Sequence, residues 1–230
     1  MDFIVQASTY AGKVDGAILL IYVLVGFWFF LTMGIFLWLI ATNRAKPGRQ
    51  AEYLTGAEAQ PKKFITYSHY VVLVCDVFIV WAAIQVWVDV KQTLPDAPET
   101  QTVRIVSQQW AWSFIHPGPD GQLDTADDIK TVDDLHIELD RPYIYELTSR
   151  DVLHDFSVPA FRLKQDSVPG RVITGWFQAT KAGNYEIQCA EMCGIGHALM
   201  PGMVHVETPE EHAAWMAAQA DDASLLASNK

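Results

Sequence analysis

Two stretches of this chain run uncharged, or nearly so, for longer than a bilayer is thick. Residues 16–43 are 28 consecutive positions without Asp, Glu, Lys or Arg, bounded by Asp15 and Arg44. As a helix rising about 1.5 Å per residue, that run exceeds the roughly 20 residues that cross the hydrocarbon. Residues 64–88, between Lys63 and Asp89, form a second run broken only by Asp76. The opening MDFIVQASTYAGKVDG lacks the basic start and short apolar core of a cleaved leader, so the first run reads as a retained helix. Beyond Pro95 and Pro98 the pattern changes to short alternating segments, predicting strands over 102–114, 135–139, 143–148, 171–179, 184–189 and 203–207. Gly- and Pro-containing turns (HPGPDG, VPGR, KAGN, MPGM) separate them. Such spacing predicts a β-sandwich or small Greek-key barrel. From Pro209 the pattern PEEHAAWMAAQA predicts a short C-terminal helix, with Thr208 as its N-cap and Glu211 three residues later, and with the last eight residues frayed. The expected organisation is a membrane-anchored all-β chain: a two-helix transmembrane hairpin over 1–92 and an exported domain over 93–230.

Charge separates the same two parts. Residues 1–89 hold six basic and six acidic side chains, while residues 90–230 hold ten against 21, which is the whole formal charge of −11. An acidic exported part without a basic face excludes a nucleic-acid binder, and an aromatic content of 12% excludes a disordered chain. The loop between the runs carries Arg44, Lys46, Arg49, Lys62 and Lys63, whereas the outer flanks carry only Lys13 and Lys91. The positive-inside rule therefore places the loop in the cytoplasm, with both termini and the acidic domain on the periplasmic or outer face of a bacterial inner membrane. Within the second run, His69 and Asp76 are seven residues apart and share a helical face with Thr66 and Leu73. That stripe is either a proton relay or polar packing against a membrane partner, and both readings require a partner as well as lipid.

The chemistry gathers in Cys189-Ala-Glu191-Met-Cys193-Gly-Ile-Gly-His197-Ala-Leu-Met200. Two thiols, an imidazole and a thioether within twelve residues form a soft ligand set that favours copper or zinc over magnesium or calcium. Structural zinc sites close with Cys and His and seldom take Met. A mononuclear blue-copper site uses one Cys, two His and an axial Met, and here a second Cys is inserted. Two thiolates can bridge two copper ions if another histidine arrives, and His154, 35 residues before Cys189, is the candidate. A zinc site and a Cys189–Cys193 redox disulfide are the other readings. With three cysteines and no C-x-x-C-H, neither a disulfide framework nor a covalently attached c-type haem is expected.

Four segments in order carry a resemblance: Gln109-Trp110-Ala111-Trp112, Asp151-Val-Leu-His154, Lys164-Gln-Asp-Ser-Val-Pro-Gly-Arg171, and Cys189-x3-Cys193-x3-His197-x2-Met200. Together they resemble subunit II of the haem–copper oxidase superfamily, the cytochrome c oxidase subunit 2 group, along essentially the whole chain. The resemblance implies a cupredoxin Greek-key β-barrel on the hairpin anchor, holding the dinuclear copper centre CuA. It implies that Cys189 and Cys193 bridge both coppers. One copper would add His154 and Met200, the other His197 and the backbone carbonyl of Glu191. The Glu191 carboxylate would reach magnesium or manganese at the interface with subunit I. Trp110 would receive electrons from cytochrome c, and catalysis would occur at haem and copper in subunit I, with subunit III as a further partner. Asp155 is expected to tune ligand orientation.

The acidic surface suits a basic donor, with Asp134 and Asp151 among the candidate docking carboxylates. The run from Asp120 to Asp128 is oxygen-rich and a candidate calcium loop, although Ile129 stands where an EF-hand requires Gly. Ala111 replaces an aromatic residue common in the family, Gln60-Pro-Lys62-Lys63 lacks a proton-input carboxylate, and Asp76 is added. These departures leave a second reading, the CuA subunit of a nitric oxide reductase. A third is a non-catalytic copper-binding or copper-delivery protein.

Overall fold

The computed structural model describes residues 5–48, 50, 55 and 58–228; Arg49 of the basic loop lies outside them. Contacts divide the chain into two compact units, one of residues 13–87 and one that joins the segment up to Gly12 with everything from Val88 onward.

The first unit consists of two long helices, α1 (Ala11–Thr42) and α2 (Ala59–Trp87), the second running into a five-residue π-helical turn, Val88–Gln92. At 32 residues α1 is about 48 Å long, beyond the ~30 Å hydrocarbon thickness. Both helices are long and apolar enough to cross a membrane. Their side chains face outward: Phe30 is 74% exposed and Trp38 63%. Apolar surface on that scale needs lipid or a partner to cover it. Several polar side chains on these helices turn back onto their own backbone, as hydrocarbon favours. Thr32 Oγ1 donates to the carbonyl of Trp28 at 2.8 Å, Thr42 Oγ1 to that of Trp38 at 2.8 Å, and His69 Nδ1 to that of Ile65 at 2.8 Å.

The second unit is a two-sheet β-sandwich. Its strands are β1 (Gln101–Gln108), β2 (Ala111–His116), β3 (Ile129–Val132), β4 (Asp134–Glu138), β5 (Pro142–Ser149), β6 (His154–Val158), β7 (Leu163–Ser167), β8 (Ile173–Gln178), β9 (Gly183–Cys189) and β10 (Gly202–Glu207). One sheet has the order β3-β2-β1-β5-β8, the other β4-β10-β9-β6-β7. Strict alternation along β2 and β5 points Trp112, Phe114, Tyr143, Tyr145 and Leu147 into the core, where Phe156, Phe177 and Ile187 meet them from other strands. The predicted strand 102–114 is two strands folded back on each other at Gln109–Trp110, with Gln108 opposite Ala111. Strands β3, β6 and β7 carry no alternation that sequence could reveal; all five residues of β6 are buried.

Residues 5–12, assigned to the anchor on sequence, belong to the sandwich. Ala7 N donates to Ala160 O, Thr180 N to Ala7 O and Thr9 N to Gln178 O, at 2.9–3.1 Å. Ser8 Oγ reaches Phe161 O at 2.8 Å, and Ala7, Tyr10 and Ala11 are buried. This segment covers the otherwise open edge of β8.

The C-terminal helix α3 (Pro209–Ser228) is longer than its sequence pattern suggests and extends into the stretch expected to fray. Its predicted capping box forms, with Thr208 N bonded to Glu211 Oε2 at 2.9 Å and Glu211 N to Thr208 Oγ1 at 3.3 Å. It docks on β4 and β10 through an imidazole–indole cluster: Trp215 stacks on His136 with ring centroids 4.3 Å apart, and Glu207 accepts from His136 Nδ1 at 2.7 Å and His212 Nδ1 at 2.9 Å. His116 lies beneath, 3% exposed, with its ring edge-on to Trp215. Burial, reinforced by His136 and His212, pushes the His116 imidazole down to about 3. Below its ordinary value of 6.5 the unfolded chain therefore binds a proton that the folded site refuses, and stability falls by up to about 1.4 kcal/mol per pH unit. The stability advantage of the parent over a His116→Phe variant is expected to shrink by about 2 kcal/mol between pH 6.5 and 5. Denaturant unfolding of both proteins at each pH measures it, and a constant difference would contradict the assignment.

Candidate metal centre

Antiparallel pairing of β6 with β9 sets Phe156 opposite Cys189 and so brings the start of one strand to the end of the other. His154 Nδ1 consequently lies 3.8 Å from Cys189 Sγ despite 35 residues of separation. The loop between β9 and β10 then folds over this point. Gly194 takes a φ of +126°, a conformation that side-chain-bearing residues avoid, and a 3-10 turn over His197–Leu199 completes the reversal.

That loop converges on two sulfurs. Cys193 Sγ lies 3.8 Å from Cys189 Sγ, 3.6 Å from His197 Nδ1 and 3.5 Å from Met200 Sδ. The backbone carbonyl of Glu191 is 3.3 Å from Cys189 Sγ. Both cysteines are unpaired. His154, Cys193 and Met200 are at most 3% exposed, while Cys189 and His197 are half-buried. The structure thus brings together all six residues that the sequence singled out for the metal. Burial, and then the neighbouring Cys189, pushes the Cys193 thiol up to about 11. Two adjacent thiolates in such a place need a cation between them, so the donor set suits a soft metal centre.

The surrounding residues hold the donors in place. Asp151 Oδ1 accepts from His154 Nε2 at 2.9 Å, leaving Nδ1 facing the sulfurs, and Asp151 Oδ2 accepts from Gln109 N at 2.7 Å. Partial burial opposes ionisation of Asp151, yet the bonds from His154, Gln109 and Val152 hold its carboxyl below the usual range. Asp151, a docking candidate on sequence, therefore has both carboxylate oxygens engaged while its side chain stays 31% exposed. Asp134 keeps an outward position, 53% exposed at the side chain, and accepts from His205 Nε2 at 2.8 Å. Trp112, fully buried, donates from Nε1 to the carbonyl of Met200 at 3.1 Å and packs edge-on against Phe156 and His154. Asp155 is 1% exposed, and burial, helped by a hydrogen bond with Asp166, pushes its carboxyl up to about 7. Its carbonyl accepts from Ala190 N at 3.1 Å, tying β6 to the loop.

Trp110 lies across Gly194 and Gly196 and is 37% exposed. The apolar side chains of Met192, Ile195 and Leu199 stand exposed on the same loop. The partners that sequence missed, Gln109 and Trp112, stood in the Gln-Trp-x-Trp segment, and Asp151 stood three residues before His154.

Among the described residues, three donor atoms converge at His154, Cys189 and Cys193, and no comparable group of carboxylates forms around Glu191 or Asp120–Asp128. In the latter loop the carboxylates are engaged locally. Asp127 accepts from Asp120 N, Asp128 accepts from Asp124 N, and Asp124 pairs with Arg104 at 2.7 Å. On α2, His69 and Asp76 share a face and are both exposed.

A family model described as the periplasmic domain of cytochrome c oxidase subunit II matches residues 101–207. The chain is 32% identical to the alternative cytochrome c oxidase subunit 2 of Bradyrhizobium diazoefficiens, over 96% of this chain and 86% of that protein. It is 40% identical to cytochrome c oxidase subunit 2 of Thermostichus vulcanus, over 55% of this chain and 35% of that protein. Among solved structures, the periplasmic domain of subunit II of cytochrome oxidase from Bradyrhizobium japonicum is 29% identical with a TM-score of 0.49, covering 56% of this chain and 99% of that one.

Proposed function

The chain belongs to the cytochrome c oxidase subunit II family, and from that premise we propose that it is the electron-accepting subunit of a respiratory haem–copper terminal oxidase. Its donor is a cytochrome c or similar basic carrier, and oxygen is reduced to water at haem and copper in subunit I. The observation that carries this reading is the pair of unpaired sulfurs 3.8 Å apart, with His154, His197, Met200 and the Glu191 carbonyl each within 3.8 Å of one of them.

Cys189, Cys193, His154, His197, Met200 and the Glu191 carbonyl would together hold a pair of copper ions. When bound, the copper pair supplies reversible one-electron chemistry shared over two ions. The chain's own residues make that chemistry selective. Two sulfurs, two imidazoles, a thioether and a carbonyl would supply protein donors for such a pair, a set suited to relaying electrons rather than to binding a substrate. Asp151 fixes the tautomer of His154, and burial of His154, Cys193 and Met200 excludes water. Trp110, flat on the loop at the protein surface, is the aromatic group best placed to face a donor.

The localisation proposed is a bacterial inner membrane, with the sandwich on the periplasmic face. The basic residues of the loop between the helices, Arg44, Lys46, Arg49, Lys62 and Lys63, support it through the positive-inside rule.

Purified full-length chain loaded with copper should hold two ions per chain and give a mixed-valence signal with hyperfine coupling to both. Trp110→Ala should slow reduction by cytochrome c at least tenfold, by the arithmetic of about 1.4 kcal/mol of barrier, with the copper spectrum unchanged. One copper with a single blue band would refute the dinuclear centre, and an unaltered rate would remove Trp110 from the donor site. Turnover of the intact complex with nitric oxide instead of oxygen would assign it to the reductase branch.

A further inference from the structure

We propose that Gln109 is the positioning residue that locks the two ligand-bearing segments of the centre together and seats Trp110 upon them. The inference rests on the metal-centre reading above. Gln109 stands in the turn between β1 and β2, a different element from any ligand. Its side chain reaches one segment: Nε2 donates to the carbonyl of Cys193 at 2.7 Å. Its backbone reaches the other: the main-chain N donates to Asp151 Oδ2 at 2.7 Å, and the second oxygen of the same carboxylate receives His154 Nε2 at 2.9 Å. A single residue therefore spans from Cys193 in the β9–β10 loop to His154 at the head of β6.

The loop is shaped to admit this wedge. A Cβ on Gly194 would come within 2.9 Å of Gln109 Nε2 and 3.3 Å of Trp110 Cζ2, and one on Gly196 would come within 2.3–2.7 Å of the Trp110 indole. Glycine at both positions lets residues 109 and 110 lie directly on the loop backbone. Cys193 is 3% exposed, so water does not readily replace the amide as donor to its carbonyl. Holding that carbonyl fixes the Cys193 backbone, and with it the direction of Sγ toward Cys189, His197 and Met200. Gln109 touches no metal donor atom itself; it acts through Cys193 and Asp151.

The same bonds explain why the turn is tied down at both ends. Without the side-chain bond, the loop would keep its strand anchors, the Ala190 N to Asp155 O bond and the hydrogen bonds of the 3-10 turn. The fold should therefore survive while the alignment of Cys193 and Trp110 does not.

The test is Gln109→Met, which preserves length and removes the donor, in the full chain with its anchor. In the copper-free protein, amide exchange across residues 192–198 should quicken about three- to tenfold, the equivalent of one hydrogen bond, with exchange in β1 and β5 unchanged. In the copper-loaded protein, two ions should remain bound but with altered hyperfine splitting, and reduction by cytochrome c should slow about tenfold. Unchanged exchange and an unchanged copper spectrum would overturn the proposal even if the rate fell, because the residue would then act on the donor alone. If Gln109→Met does not fold, Gln109→Asn, which keeps the amide but shortens its reach, makes the same comparison, and parent-like exchange and spectrum overturn it again. If the parent itself holds no copper pair, the underlying metal reading fails, and the exchange measurement still decides whether Gln109 locks the loop.

Discussion

Replacing Cys193 by serine will abolish the copper pair. Its Sγ is the meeting point of the site, 3.8 Å from Cys189 Sγ, 3.6 Å from His197 Nδ1 and 3.5 Å from Met200 Sδ. A hydroxyl is a hard donor with little affinity for the soft metals that this set selects, and it remains protonated near neutral pH. The expected outcome is a fall from two coppers per chain to one or none, loss of the mixed-valence signal, and reduction by cytochrome c slowed beyond the 10–100-fold typical of an outer-sphere change. The sandwich should stay folded, because the pairing of β6 with β9 does not depend on this side chain. Cys75→Ser, on α2 in the other unit, is the matched control and should leave the copper count as it was. Two coppers and an intact signal in Cys193→Ser would end the bridging assignment.

Trp112→Ala should cost about 3–5 kcal/mol of stability, the range for deleting a large core aromatic. Trp112 is fully buried, with ring centroids 5.5 Å from Phe156 and 6.2 Å from His154. Removing it opens a cavity directly beneath the metal ligands and withdraws the Nε1 donor from the Met200 carbonyl, 3.1 Å away. Trp112→Phe separates the two effects: most of the apolar contact is kept, and the loss should be about 1–3 kcal/mol for one unsatisfied buried carbonyl. Denaturant unfolding of the copper-free chain gives both numbers. A loss below about 1 kcal/mol for the alanine variant would mean that the core does not depend on this ring.

The features legible in the sequence share one property: the signal lies within a few residues. Runs with at most one charge marked both helices that are long and apolar enough to cross a membrane, because the cost of burying a charge in hydrocarbon is local to each position. Thr208 and Glu211 marked the start of α3, since a capping box closes within one turn. The spacing Cys189-x3-Cys193-x3-His197-x2-Met200 marked a soft metal site because one loop supplies most of the donors. Strand β6 escaped notice for the opposite reason. His-Asp-Phe-Ser-Val is buried along its whole length between β7 and β9, and no alternation survives when both faces are covered. Residues 5–12 gave no sign of joining the sandwich, because a short Ala-Ser-Thr-Tyr segment has no pattern of its own and pairs only with an edge formed 170 residues later. Asp151 looked like one more carboxylate of an acidic surface, and its bond from Gln109 required the turn at 109–110 to meet the segment 151–154.

Sequence alone therefore determined the candidate donor types, the membrane-length helices and the acidic β-rich part, all set by side-chain chemistry and local spacing. Tertiary structure alone decided that His154 reaches Cys189, that Asp151 bonds to Gln109 and that Gln109 and Trp110 rest on the loop glycines. Those outcomes depend on which strands pair and in which register. Register is selected by burial of the whole core at once, since a slip of one residue would send every inward side chain to the opposite face.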